Sequence, residues 1–348
     1  MTDRGGAFHP VIELTRARLC EFLREPEAVF WLVFFPVLLA FALGLAFSGR
    51  GEQEVHVGVV AGQPNGPARE ALSQVAGVVI HELPAEAADR ALRDGEVHVV
   101  LRPGPPPTYR FDPSRPESRV ATLVVDEALQ RASGREDRFR AREERVAIPG
   151  SRYVDWVIPG LLGMNIMGTG MWALGYAVVY ARSRRLLKRL AATPMSRAHY
   201  LLAQMLARLV FLALEAGALL LFARLILGVP INGSLALLGV LTLLGATAFA
   251  GLGLLAASRA RTIEAVSGWM NFTMVPMWVM SGVFFSAAHF PDAAQPFIQA
   301  LPLTALNDAL RTVMLDGGGV AAVAGDAAIL VTWTVGCFAV ALKVFRWQ

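Results

Sequence analysis

Apolar and polar positions divide this chain into two kinds of territory. Apolar runs recur at 29–47, 158–180, 201–228, 235–257, 266–285 and 327–344. Each approaches or exceeds the roughly 20 residues that carry a helix across a bilayer. Six transmembrane helices are therefore expected. Residues 49–155 between the first two runs are of another kind: polar, proline-rich and charged with both signs. Short β-branched runs at Val55–Val60, Val78–His81, Val97–Leu101 and Thr108–Phe111 predict strands. Pro67–Ala76 and Ala85–Asp94 predict helices, and a longer helix is expected from Glu117 to Glu144. Alternating short strands and helices predict a small α/β domain between transmembrane helices 1 and 2.

The remaining segments refine the division, giving 1–28, 29–47, 48–155 and 156–348. In residues 10–27, Ile12, Leu19, Phe22 and Leu23 share one side of a helical wheel, away from Glu13, Glu21, Arg24 and Glu25. That is the pattern of an amphipathic helix lying in the membrane interface. Pro36 should kink the first span, because its ring removes a backbone hydrogen bond. No small-residue cleavage site follows that run, so it is expected to be retained rather than removed as a leader. Gly160, Gly163, Gly168, Gly170 and Gly175 in the second run, and Ala246/Ala250 and Gly253/Ala257 in the fourth, suit close helix packing. Leu303–Leu315 is helical in pattern but too short to span, so the 287–325 segment is expected to hold a re-entrant or interfacial piece.

Charge orients the spans. Residues 181–197 between the second and third runs hold six Lys/Arg and no Asp or Glu. Short Lys/Arg-rich loops stay on the cytoplasmic side. With 182–199 inside, both termini and the 259–265 loop also fall inside, and each carries Lys/Arg. The segments 229–234 and 287–325 then lie outside with only Arg311 between them. The 48–155 domain falls outside as well, since long domains cross largely regardless of charge. The chain is 55% hydrophobic with net charge +4 and a mean hydropathy of +0.48. In so apolar a chain the positive balance reports cytoplasmic-side Lys/Arg rather than nucleic-acid binding.

The chemistry carried by these elements is sparse. Cys20 and Cys337 give no disulfide framework and no metal-ligand spacing, so neither metal nor resident cofactor is expected. His56, His81 and His98, in or beside the strands, are expected to be packing or surface residues. No Gly-x-x-x-x-Gly-Lys-Ser/Thr phosphate loop occurs. Within the spans, Glu215 sits near the middle of the third. A carboxylate there must face protein or water and find a partner, with Arg208 seven residues earlier as the nearest cation. It serves either a translocation path or coupling, or a helix–helix contact. Asn271, Thr273, Met274, Met277, Trp278 and Met280 make the fifth span rich in polar and adaptable side chains, suited to varied apolar ligands or to ordinary packing. Leu186, Leu187 and Leu190, with Arg185, Lys188 and Arg189 between them, form a short cationic amphipathic pattern stopped by Thr193-Pro194.

Four stretches resemble the permease subunits of type 2 ATP-binding cassette exporters, the ABC-2 family. They are Phe22-Leu-Arg-Glu-Pro26 with Phe35-Pro36; Val55-His-Val-Gly-Val-Val60 with Tyr109-Arg-Phe-Asp-Pro-Ser114; Pro159-Gly-Leu-Leu162 running to Leu187-Lys-Arg-Leu-Ala-Ala-Thr-Pro194; and Leu301-Pro-Leu-Thr304 with Asn307, Asp308 and Arg311. The resemblance covers nearly the whole chain through the order and spacing of weak motifs. It implies a multi-pass permease of the bacterial inner membrane, moving an amphipathic or lipid-like substrate or drug outward. It implies that the chain is no enzyme, and that separate cytoplasmic ATPase subunits carry ATP and magnesium. It implies a second copy or a homologous permease as partner, within membrane lipid. Arg182, Arg184, Arg185, Leu186, Leu187, Lys188, Arg189, Leu190, Thr193 and Pro194 match the helix that docks on the ATPase. Many members carry acidic residues and a Gly-Thr in the first half of that loop. Here Ser183, Arg185, Leu186 and Lys188 stand there, which makes the docking chemistry more basic. Glu215, Asn271, Met274 and Met277 are candidates for the translocation path. The size of the outer domain suggests contact with a periplasmic adaptor. Two other classes fit the residues: a membrane enzyme of lipid-linked chemistry, with Asp308, Arg311 and Asp316 as its only candidate groups, and a non-transporting membrane sensor or anchor.

Overall fold

The computed structural model describes residues 9–48, 54–61, 66–102, 104, 106–136, 139, 150, 152–183, 197–260 and 262–344. It divides into two compact units, Gly49–Val146 and the rest of the chain.

The smaller unit is a four-stranded sheet with helices on both faces. Its strands are β1 (Val55–Val60), β2 (Val78–Leu83), β3 (Val99–Arg102) and β4 (Thr108–Phe111), in the order β2-β1-β3-β4. β1 runs parallel to β2 and β3, and β4 is antiparallel to β3. Strands covered on both faces read as nearly continuous β-branched runs, and Val55-His-Val-Gly-Val-Val60 is such a run. On one face Val57, Val59, Val99 and Leu101 pack with Leu72 from the helix Gly66–Ser73 and with Ala121 and Val125 from Pro116–Ala132. On the other, Val60 and Val100 pack with Ala88 and Ala91 from the helix Ala85–Asp94. The helix expected to reach Glu144 stops at Ala132. Gly134 then adopts φ 91°, a left-handed conformation that ends helices and that glycine reaches without a Cβ penalty.

The larger unit is helical. From here its helices are numbered in chain order: α1 (His9–Leu23), α2 (Pro26–Val29), α3 (Phe35–Ser48), α4 (Tyr153–Ser183), α5 (Arg197–Leu225), α6 (Leu235–Arg259), α7 (Ile263–Met280), α8 (Gln295–Gln299), α9 (Pro302–Met314) and α10 (Ala324–Val344). Four of them are long and apolar enough to cross a membrane: Tyr153–Tyr180, Leu206–Leu225, Leu235–Arg259 and Ala324–Val344. The expected first span is instead a composite. Phe30–Phe34 forms a π-helical turn between α2 and α3, just ahead of Pro36. Widening the helix there relieves the clash and the missing donor that proline brings, as such turns do where a helix must accommodate an irregularity. The expected fifth span is α7, eighteen residues long, in which Glu264, Asn271 and Pro276 dilute the apolar character.

α4 is the axis of the bundle. Its span is 67% buried within the protein, against 17% for α10. Its glycines explain how neighbours come so near. A Cβ on Gly160 would lie 2.6 Å from the Val283 carbonyl oxygen, and one on Gly170 would lie 2.9 Å from Cβ of Phe249. One on Gly175 would lie 2.9 Å from the Gly253 carbonyl oxygen. α1 packs along α5, although Ile12 and Leu23 remain largely exposed.

Candidate functional site

Two polar nodes interrupt the apolar interior of the helical unit, and both are built on α4. The first joins α4 to α5. Glu215 is 3% exposed, and its Oε2 accepts a hydrogen bond from Thr169 Oγ1 at 3.0 Å. Arg208, two turns earlier on α5, donates to the Thr169 carbonyl oxygen. Thr169 thus bridges the two charges, one through its side chain and one through its backbone. Glu215 Oε1 has no hydrogen-bond partner. Beside the node lies a cavity of about 380 Å³, lined by α4, α5, α6 and Phe338 of α10. Thr169, Arg208 and Thr247 are the polar residues in an otherwise apolar lining.

The second node ties α9 to the rest of the bundle. Eleven of its residues are buried, although it is too short to span. Arg311 is 6% exposed. Its Nη2 donates to the Gly282 carbonyl oxygen and its Nε to the Trp156 carbonyl oxygen at 3.5 Å. Its guanidinium carbon sits 3.7 Å from the Trp156 ring centroid, within cation–π range. Asp308 accepts from Nη1 at 3.2 Å. One turn back, Asn307 Nδ2 donates to the Ser281 carbonyl oxygen at 2.9 Å. Ser281 and Gly282 follow directly on α7, where the helix ends and its carbonyls lack intrahelical donors. Asn307 and Arg311 supply those donors. At the same end of the bundle, Asn232 Nδ2 donates to the Leu315 carbonyl oxygen at 2.6 Å. Arg152 donates to Asp155 at 2.8 Å and to the Gly228 carbonyl oxygen at 2.9 Å. The connections at this end are therefore held by side-chain-to-backbone bonds.

The other candidates are spread apart. Met274 and Met277 are buried in the core, while Asn271 is exposed on a different side of α7 together with Phe272 and Val275. Glu215 is not brought to Asn271; it is spent on Thr169 of α4. Arg182 falls in the last turn of α4. Arg184, Arg185, Leu186, Leu187, Lys188, Arg189, Leu190, Thr193 and Pro194 lie outside the described residues. The described helices on either side, α4 and α5, establish that this segment joins two candidate spans.

In the smaller unit the three histidines form a row across adjacent strands. His56 Nδ1 and His81 Nε2 lie 2.9 Å apart, and the His56 backbone N–H donates to His98 Nδ1 at 3.2 Å. Burial, then the neighbouring His56, holds His98 below the usual imidazole range. No group of three or more His, Cys, Asp or Glu arranged to hold a metal ion occurs among the described residues.

A helical membrane protein with several spans packed around one axial helix is the class this architecture defines. The sequence matches the ABC-2 type transporter family over residues 121–315. That is more than half of the chain, from the last helix of the smaller unit to the end of α9, and the chain belongs to this family. A comparison with curated proteins gives no match. As a member it is a multi-pass membrane component of an ABC transporter, a permease that associates with ABC ATPase subunits.

Sequence reasoning found Glu215 and Arg208 but named no role for Thr169. A hydroxyl on a glycine-rich helix facing an intramembrane carboxylate was the available signal. It quoted Asn307, Asp308 and Arg311 without their structural role. Three polar residues on one short, otherwise apolar helix pointed to it.

Proposed function

We propose that this permease is the exporting half of an ATP-driven pump. It carries an amphipathic or lipid-like molecule outward from the cytoplasm or the inner leaflet of a bacterial inner membrane. The observation that supports this most is the position of the basic 181–197 segment. It joins the axial helix α4 to α5 inside the region matched to the family. A cationic segment between two spans is retained on the cytoplasmic side. There it meets separate ATPase subunits, which hold ATP and magnesium. Both termini are then cytoplasmic, and the 49–146 unit lies on the far side. Six crossings result if Pro26–Ser48 and α7 also span. Two copies form the working unit, and residues 182–194 receive the push of the closing ATPases. The far-side unit is the surface for an adaptor.

The test is co-purification of the tagged full-length chain with an ABC ATPase encoded beside it, followed by hydrolysis in lipid vesicles. Hydrolysis stimulated by an amphipathic substrate is expected. A chain that recovers no ATPase, or that carries a transferase activity of its own, overturns the proposal. The enzyme alternative gains little from Asp308 and Arg311, because Arg311 is committed to backbone carbonyls and to the Trp156 ring.

Glu215 is assigned a working role in this cycle. Its Oε1 is buried without a partner, and burying a carboxylate that way opposes stability. Glu215→Gln preserves shape and the acceptor for Thr169. It is expected to leave assembly and melting temperature equal or higher while export falls by about tenfold, the equivalent of 1.4 kcal/mol. Export and melting temperature both at wild-type values would reduce Glu215 to a helix–helix contact.

A further inference from the structure

The geometry points to a binding site for one anionic phospholipid in the cavity between α4, α5 and α6, with the lipid phosphate on Arg208 and an acyl chain along the apolar lining. Arg208 carries the argument. A guanidinium offers a fork of N–H donors, and the one hydrogen bond Arg208 makes among the described residues goes to the Thr169 carbonyl oxygen. Around it the cavity presents Leu209, Leu212, Leu243, Ala250 and Phe338. A cation in such a lining, with donors to spare, calls for an acceptor carrying negative charge.

Depth and size select the occupant. Arg208 is the third residue of the span Leu206–Leu225, close to the edge of the apolar stretch and on the same end of the bundle as the basic segment. A phosphate at headgroup level can reach it there, and its chain then runs toward Leu212 and Leu243. Leu209 and Leu243 are each 45% exposed, so the cavity opens sideways into the surrounding hydrocarbon. Its volume of about 380 Å³ falls in the range of small-ligand pockets. It is too small for a partner helix, one turn of which is about 10–12 Å across and about 5.4 Å in pitch. An acyl chain fits where a helix does not.

This inference does not depend on outward transport, since it concerns what binds rather than what moves. The test is native mass spectrometry of the full-length chain in detergent micelles, titrated with dioleoyl phosphatidylglycerol and, separately, with dioleoylglycerol. One phosphatidylglycerol is expected to be retained, with dioleoylglycerol failing to displace it. Arg208→Gln should weaken retention about tenfold, Arg208→Lys should largely keep it, and Ala250→Phe, which fills the cavity, should abolish it. Melting temperature in the same detergent identifies any variant that misfolds, and Arg208→Lys then carries the comparison. Glu215→Gln separates the rival in which the spare donors turn to the carboxylate. Retention unchanged or raised in that variant supports the lipid, and a fall to the Arg208→Gln level overturns it. Equal competition by dioleoylglycerol, or wild-type retention in Arg208→Gln, also overturns the proposal.

Discussion

Replacing Arg311 with methionine is expected to destabilise the helical unit more than any other single change at a polar residue. Methionine fits the slot but supplies no donor. The Gly282 and Trp156 carbonyl oxygens then lose Arg311. A buried acceptor left unmatched costs about 1–3 kcal/mol, and loss of the cation from the Trp156 ring adds about 1 kcal/mol. The sum is roughly 3 kcal/mol or more, a large share of the stability of most domains. Asp308→Asn is the matched comparison. Asp308 touches the same guanidinium, but its side chain is 53% exposed, so it should cost less than about 1 kcal/mol. Arg311→Lys should resemble methionine more than arginine, because a single ammonium cannot reproduce the planar fork. Thermal unfolding in detergent, read beside size-exclusion profiles, checks the order. A methionine variant that melts with the wild type would show that α9 is held by apolar packing alone.

The consequence reaches beyond stability. α9 is short, yet it fixes three otherwise loose places: the end of α7 through Asn307 and Arg311, the start of α4 through Trp156, and the α5–α6 connection through Asn232. One end of the bundle is thereby stapled. At the other end, α4 and α5 run out toward the basic segment. A push delivered there acts on the axial helix against a fixed far end. In passing along α4 and α5 it meets Thr169, where Arg208 and Glu215 converge.

Several of these features were legible in the sequence, and those that were not share a physical cause. The four strands are written in β-branched runs bounded by turn residues, and each forms within two residues of its expected bounds. The helix from Pro116 was read too long because its charged pattern continues past Ala132. The Ser133-Gly134 pair that ends it is a local backbone preference that periodicity does not register. The π turn at Phe30–Phe34 is likewise a backbone response to Pro36, seen only once the chain is folded. Glu215 announced itself as a carboxylate in an apolar run. Its partner was sought among charges, although the nearest hydrogen-bonding group belongs to Thr169 on the facing helix. Arg311 was visible as a lone cation, but two of its partners are backbone carbonyls, which every residue carries and no pattern marks. Side-chain identity reveals who needs a partner; which carbonyl answers depends on tertiary packing.

Reversing the charge of Arg185, Lys188 and Arg189 to glutamate is expected to uncouple ATP hydrolysis from export while leaving the chain assembled in the membrane. The three residues alternate with Leu186, Leu187 and Leu190, so a helix through them would offer one apolar and one cationic side. A groove that accepts such a helix must be acidic at its rim. Placing like charges against each other across an interface costs several kcal/mol, enough for a loss of coupling on the order of a hundredfold. The neutral variant, with glutamine at all three positions, should fall between. Rim charges act mainly on association and are screened by salt, so raising ionic strength should weaken the wild-type complex and relieve part of the defect in the glutamate variant. ATPase association and substrate-stimulated hydrolysis, measured together across a salt series, separate this from simple misfolding, which salt would not reverse. Wild-type coupling in the glutamate variant would mean that the basic residues serve only to hold the segment on its side of the membrane, with docking left to the leucines between them.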